Sequence, residues 1–176
     1  MKAITDFRTF IFSPIVIYIF RCVIGFSIGY ALMQAIPEFD LFWALLSIML
    51  VISPEGKDAP RLTTERVKAN LVGALSGFVV VFLPIPIYFK IVVGIILAAI
   101  LCKVFNLLSV ARTAVVAIII ILIEKGSTDY LASVERFVSV LVGCLIGLMV
   151  VVSSGYLIRF LHKKFLKVEY KLKDLK

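Results

Sequence analysis

The chain has 176 residues, 62% of them hydrophobic and only 17% charged, with a mean hydropathy of +1.11 and a formal net charge of +8. Its long apolar runs have none of the polar faces that amphipathic helices of a water-soluble domain need, which excludes a soluble domain. Cys22, Cys102 and Cys144 sit singly in apolar runs and His162 stands alone in a basic tail, without metal-ligand or disulfide spacing. No nucleophile lies beside a base, so neither a metal or cofactor site nor an enzyme is expected.

A spanning helix needs roughly 20 mostly apolar residues, and six stretches serve: 13–36, 37–53, 68–86, 87–105, 107–123 and 134–160. Residues 1–12 form a cytoplasmic N-terminal segment, 13–160 the membrane domain and 161–176 a basic cytoplasmic tail. Lys2 and Arg8 before an apolar run resemble a secretory signal, but no small-x-small cleavage site follows and Arg21 interrupts the run, so it reads as a retained helix. Arg21 lies inside the first span, where an ionisable group is costly, and is expected to face the bundle interior or a watery cavity. Trp43 opens the second span, either as an aromatic-belt anchor or as a stacking surface for an aromatic solute.

The apolar part of the second span runs only from Leu41 to Ile52, and that of the fifth only from Ala114 to Ile123, between Arg112 and Glu124. Short spans at matching places in two halves are a pointer to a transport site. Each is followed by a polar segment, "SPEGKDAPRLTTER" (53–66) and "EKGSTDYLASVER" (124–136). Their hydroxyls, Thr63 and Thr64, Ser127 and Thr128, are expected near helix starts, whose unpaired N–H groups favour anions. The alternative is an ordinary loop with a capping threonine, Glu65 pairing with Arg66 and Glu135 with Arg136. Lys90 either lines the route or snorkels to the outer interface, and Arg112 is similarly divided. Glu55, Asp58, Glu124 and Asp129 are the loop carboxylates placed for proton exchange if transport is coupled.

The chain repeats itself. "ERVKANLVGALSGFVVVF" (65–82) lies over "ERFVSVLVGCLIGLMVVV" (135–152) with nine identities in eighteen, where apolar composition alone gives roughly two. "PIVIYIFRCVIG" (14–25) matches "PIPIYFKIVVG" (84–94), so repeat one covers 14–83 and repeat two 84–153. Three spans per repeat turn the second half upside down. The expected fold is thus an all-α integral membrane protein, six transmembrane helices as two inverted three-helix repeats. Gly25 and Gly29, Gly73 and Gly77, Gly143 and Gly147, with Gly94 and Ala98, form small-residue faces for helix packing or for a dimer interface.

The basic residues set the orientation. With both termini cytoplasmic, that side holds Lys57, Arg61, Arg66, Lys68, Lys103, Arg112 and the tail, and the outside only Lys90, Lys125 and Arg136. The charge therefore faces the anionic leaflet of a cell (inner) membrane, and no nucleic-acid partner is needed.

The segment "FWALLSIMLVISPEGKDAPRLTTERVKANLVGALSG" (42–77) resembles the fusaric acid resistance and aromatic acid exporter family, and more distantly the plant aluminium-activated malate transporters. The resemblance rests on Trp43 and Ala44 opening a short apolar helix, a polar turn, Arg61 and Arg66, then Gly73 and Gly77. It departs from the large members in lacking their long cytosolic domain, and has "KANLVGA" where many members place a Gly-Thr pair. It implies a membrane domain passing small organic anions, with aromatic carboxylates among them, along a basic lining. The lining residues are Arg21, Lys57, Arg61, Arg66, Lys90, Arg112, Lys125 and Arg136, with Trp43, Thr63 and Thr64, in a channel or secondary exporter without an ATP-binding motif. A chain this small is expected to work as a homo-oligomer, a dimer first, or as a subunit beside another membrane protein. The alternative function is a non-transporting scaffold acting through its basic tail.

Overall fold

The computed structural model describes residues 13–124 and 130–174. Among them are six α-helices: α1 (Pro14–Ala35), α2 (Phe42–Val51), α3 (Ala59–Val81), α4 (Ile87–Val104), α5 (Ala111–Glu124) and α6 (Tyr130–Asp174). A single 3₁₀ turn, Leu108–Val110, leads into α5, and the described residues include no strand.

Three segments are long and apolar enough to cross a bilayer: α1, α4 and Ser133–Phe165 of α6. The other helices differ in kind. With 10 residues α2 is only about 15 Å long, half of a hydrocarbon core of about 30 Å. Helix α3 carries charge in its first two turns. It starts at Ala59, nine residues before the expected 68, because Pro60 suits the first helical turn and Arg61 bridges Asp58 and Glu65 on the outer face. At the other end α6 runs on through the basic tail to Asp174, so its 45 residues extend about 68 Å, far beyond any bilayer.

The two outermost helices bury one narrow stripe each. On α1 the buried residues are Arg21, Gly25 and Gly29, and on α4 they are Lys90, Gly94, Ala98 and Cys102. These positions are four apart and so fall on one face. The opposite faces leave Ile19, Val23, Phe26, Val93, Ile96 and Ile100 exposed, as lipid-facing surfaces require.

Each short helix is the hub of a core. One core joins Ile48 and Val51 of α2, and Ile52 just after it, to Val140, Cys144 and Val150 of α6. The other joins Ala114, Ile118 and Leu122 of α5 to Val72 and Val80 of α3 and to Ala98 and Cys102 of α4. Helices α3 and α6 pack against each other between the two hubs.

Glycine makes the hub contacts close. A Cβ on Gly143 would run into the backbone of Ala44, and one on Gly147 would lie 3.1 Å from the Ile48 carbonyl oxygen. In the other core, a Cβ on Gly73 would lie 2.7 Å from Ala117 Cβ and 3.1 Å from the Ala114 carbonyl oxygen. Gly25 and Gly29 give the same kind of room to Ile48, Ile52 and Leu45, and Gly94 to Ile118. Gly77 faces Ile121 and the Ser133 hydroxyl. All seven expected packing glycines therefore lie at helix–helix contacts inside the chain.

Candidate functional site

The close seat of α2 on α6 fixes what its first turns present. Ser139 donates to the Asp40 carbonyl at 2.9 Å, pinning the start of α2, and Gly143 lets Ala44 approach. This brings Arg136 of α6 over Trp43, with the guanidinium carbon 3.6 Å from the ring centroid. Arg136 is only 8% exposed, so this cation–π contact is shielded from water. Phe42 packs edge-on against the same indole, at 5.6 Å between ring centres.

One helical turn further along α2 lies the second cation. The Nε–H of Arg66, from α3, donates to the Ser47 hydroxyl at 3.1 Å, and that hydroxyl donates to the Trp43 carbonyl at 2.6 Å. The Arg66 carbonyl accepts from the buried Asn70 amide at 3.0 Å. Trp43 and Ser47 stand four apart on one face of α2, so two repeat-related arginines converge on a single strip of that helix. A guanidinium keeps its charge even when buried, and its fork matches a carboxylate. The hydrogen bond that Arg66 makes here is to a neutral hydroxyl.

The other expected lining residues are distributed differently. Arg21 is buried, its Nε–H bonded to Ser154 of α6 at 2.9 Å, with Nη1 3.4 Å from the Ser53 carbonyl. Lys90 is also buried, and its ammonium donates to the carbonyl of Val81, the last residue of α3, at 3.0 Å. Arg61 is exposed and held by Glu65 at 3.1 Å and Asp58 at 3.7 Å, so Glu65 pairs with Arg61 and not with its neighbour Arg66. Successive helical residues point about 100° apart, which separates those two side chains.

Thr63 and Thr64 do not cap a helix start. They lie in the second turn of α3 and donate to the Ala59 and Pro60 carbonyls at 2.8 Å each. Lys57 and Arg112 are exposed, while Lys125, Ser127 and Thr128 lie outside the described residues. Glu55 lines a cleft beside Arg21 and Lys57, whereas Asp129 and the side chain of Glu124 are outside the described part. The described residues contain no group of His, Cys, Asp and Glu that could hold a metal.

Sequence reasoning missed Ser47, Asn70, Ser139 and Ser154, the neutral polar residues that hold the cations and the hub. For Ser47 and Ser139 a signal was present: each is a lone polar residue within a mostly apolar helical run, where burial demands a partner.

A bundle with three bilayer-length apolar helices and charged side chains held in its interior defines a multi-pass helical membrane protein. Within that class, residues 26–150, more than half of the chain, match the family described as "Fusaric acid resistance protein-like", and the chain belongs to it. The family carries with it a membrane transport or resistance-related function. No curated protein and no solved structure matches the chain.

Proposed function

We propose that the protein passes organic anions across the membrane, with an aromatic carboxylate seated on α2 between Arg66 and Arg136. The observation that carries this reading is the convergence of both arginines on the Trp43–Ser47 strip. The carboxylate would take the forked donors of the guanidinium groups, and the aromatic body would compete for the indole face that Arg136 now covers. Fixed cations in a lining attract anions and repel cations, as in a basic pore.

The inverted-repeat reading belongs to the same proposal. Exchanging α1 with α4, α2 with α5 and α3 with α6 maps the set of packed helix pairs onto itself, including α2 on α6 and α5 on α3. Ala44 and Ala114, each met by the first glycine of the opposite repeat, stand seventy residues apart, like Gly143 and Gly73. In this reading all six helices belong to the membrane domain, and the first polar segment and the tail share the cytoplasmic face.

The test is flux through the purified protein in liposomes under an imposed potential, comparing chloride, malate and benzoate. Selective carboxylate flux that is lost in Arg66→Gln and Arg136→Gln, and kept in Arg61→Ala, supports the proposal. Equal flux in all three variants overturns it. A second reading is favoured by the unbroken continuation of α6 into a basic helix: a scaffold acting through its tail. That reading expects removal of residues 163–176 to abolish function while both arginine variants retain it.

A further inference from the structure

A second cluster of cations lies apart from the α2 strip. A cleft of about 400 Å³ opens between α1 and α6, beside the segment that joins α2 to α3. Its charged lining is Arg21, Lys57 and Arg159 against the single carboxylate of Glu55, and its walls include Ile17 and Val152. From this arrangement we propose that the cleft binds a phosphate-bearing group, supplied either by the headgroup of an anionic phospholipid or by a soluble phosphate ester. The proposal is independent of which solute the protein transports.

Arg21 forms the fixed part of the site. It is 6% exposed and locked by Ser154 and by the Ser53 carbonyl, which together engage two of the five donors a guanidinium carries. The remaining donors belong to a side chain that lines the cleft, held in one orientation as phosphate recognition requires. The loop is shaped around that guanidinium. Gly56 has φ 68°, and a Cβ there would lie 2.7 Å from Arg21 Nη1, so its backbone is pressed against the cation. The turn is closed by the Gly56 N–H, which donates to the Ser53 carbonyl at 3.2 Å, and it leaves Lys57 exposed at the rim.

Helix α6 provides the other wall. Gly155 and Arg159 are one turn apart and both line the cleft. A Cβ on Gly155 would meet nothing within 4 Å, so the missing side chain there keeps the cleft open rather than permitting a helix contact. The apolar flanks of the cleft are Ile17 of α1 and Val152, Tyr156 and Ile158 of α6, of which Val152 and Tyr156 are exposed, a surface on which acyl chains can lie. Basic pockets between membrane helices with apolar flanks are the places where anionic headgroups bind.

The full chain in a neutral detergent, titrated with phosphatidylglycerol or phosphatidylcholine and followed by native mass spectrometry, tests this. One phosphatidylglycerol per chain is expected to bind well before phosphatidylcholine. The double variant Lys57→Gln/Arg159→Gln should weaken it by roughly thirtyfold, since two cations near the headgroup are lost. Gly155→Leu fills the cleft where the fold has room, and should weaken binding at least tenfold with an unchanged unfolding temperature. Competition by millimolar glycerol 3-phosphate assigns the site to a soluble ester, and failure to compete assigns it to lipid. Equal binding of phosphatidylcholine, or phosphatidylglycerol binding undiminished in the folded charge variant, overturns the proposal.

Discussion

Trp43 is the single tryptophan of the chain, so its fluorescence reports on the strip where Arg136 and Arg66 converge. Adding an aromatic carboxylate such as benzoate to the protein in nanodiscs should give a saturable change in that emission. The magnitude follows from the contacts. A hydrogen bond to a charged partner contributes about 1.5–3 kcal/mol, so losing one guanidinium should weaken binding about 10- to 150-fold. Arg136→Gln should also change the emission before any ligand is added, because the guanidinium 3.6 Å above the indole is gone. A shielded cation–π contact is worth about 2 kcal/mol. Arg136→Lys keeps the charge but loses the plane and the fork, and should fall between wild type and Arg136→Gln. Arg66→Gln should leave the unliganded spectrum nearly unchanged, since Arg66 bonds to Ser47 rather than to the ring, but should weaken binding comparably. Saturable quenching with the same affinity in both Gln variants would refute the assignment. So would the absence of any saturable change in protein that carries benzoate across liposomes.

Three further expectations can be checked separately. Gly143→Ala should destabilise the protein by about 1–3 kcal/mol, because the Ala44 backbone occupies the space of the new methyl, whereas Gly155→Ala should be neutral or stabilising by up to about 1 kcal/mol; reversible unfolding in mixed micelles separates them. Arg61→Ala removes an exposed pair with Glu65 and should change stability by less than about 1 kcal/mol and leave carboxylate flux intact in the liposome assay. In a cysteine-free background, single cysteines at 57 and 109 should react with an impermeant thiol reagent from the same side, since Ser109 and the start of α3 line one cleft, and a cysteine at 39 from the opposite side.

Much of the architecture was legible because lipid punishes errors that water forgives. Long apolar runs marked α1, α4 and the membrane part of α6, and the repeat marked glycines that all fall at helix contacts. The beginning of α3 was not legible in the same way. Hydropathy sees Arg61, Glu65 and Arg66 as loop, whereas the backbone responds to Pro60, to ion pairs four residues apart and to threonines that bond back to their own helix. The site was half legible. Arg66, Arg136 and Trp43 were named from the sequence, but as parts of separate surfaces, two polar openings and an interfacial belt. Only the packing of α2 between α3 and α6 brings them together, and that packing depends on Gly143 and Ala44 lying far apart in the chain.

The repeat also explains why the strip is found on one short helix and not on both. Stepping seventy residues from Trp43 and Ser47 leads to Thr113 and Ala117 on α5, which offer neither a ring for a guanidinium nor a hydroxyl at the second position. The close packing is nevertheless shared, since Gly73 meets Ala114 and Ala117 as Gly143 meets Ala44. Glycines and alanines thus make similar close contacts on α2 and α5, while the polar side chains beside those contacts differ. A similar difference separates Arg21, whose guanidinium bonds to Ser154 of α6 and to the Ser53 carbonyl just past α2, from Lys90, whose ammonium bonds to an α3 carbonyl. A chain built from two equivalent halves could present equivalent sites on α2 and α5. This one brings Arg66 and Arg136 together on α2, with no matching ring and hydroxyl on α5.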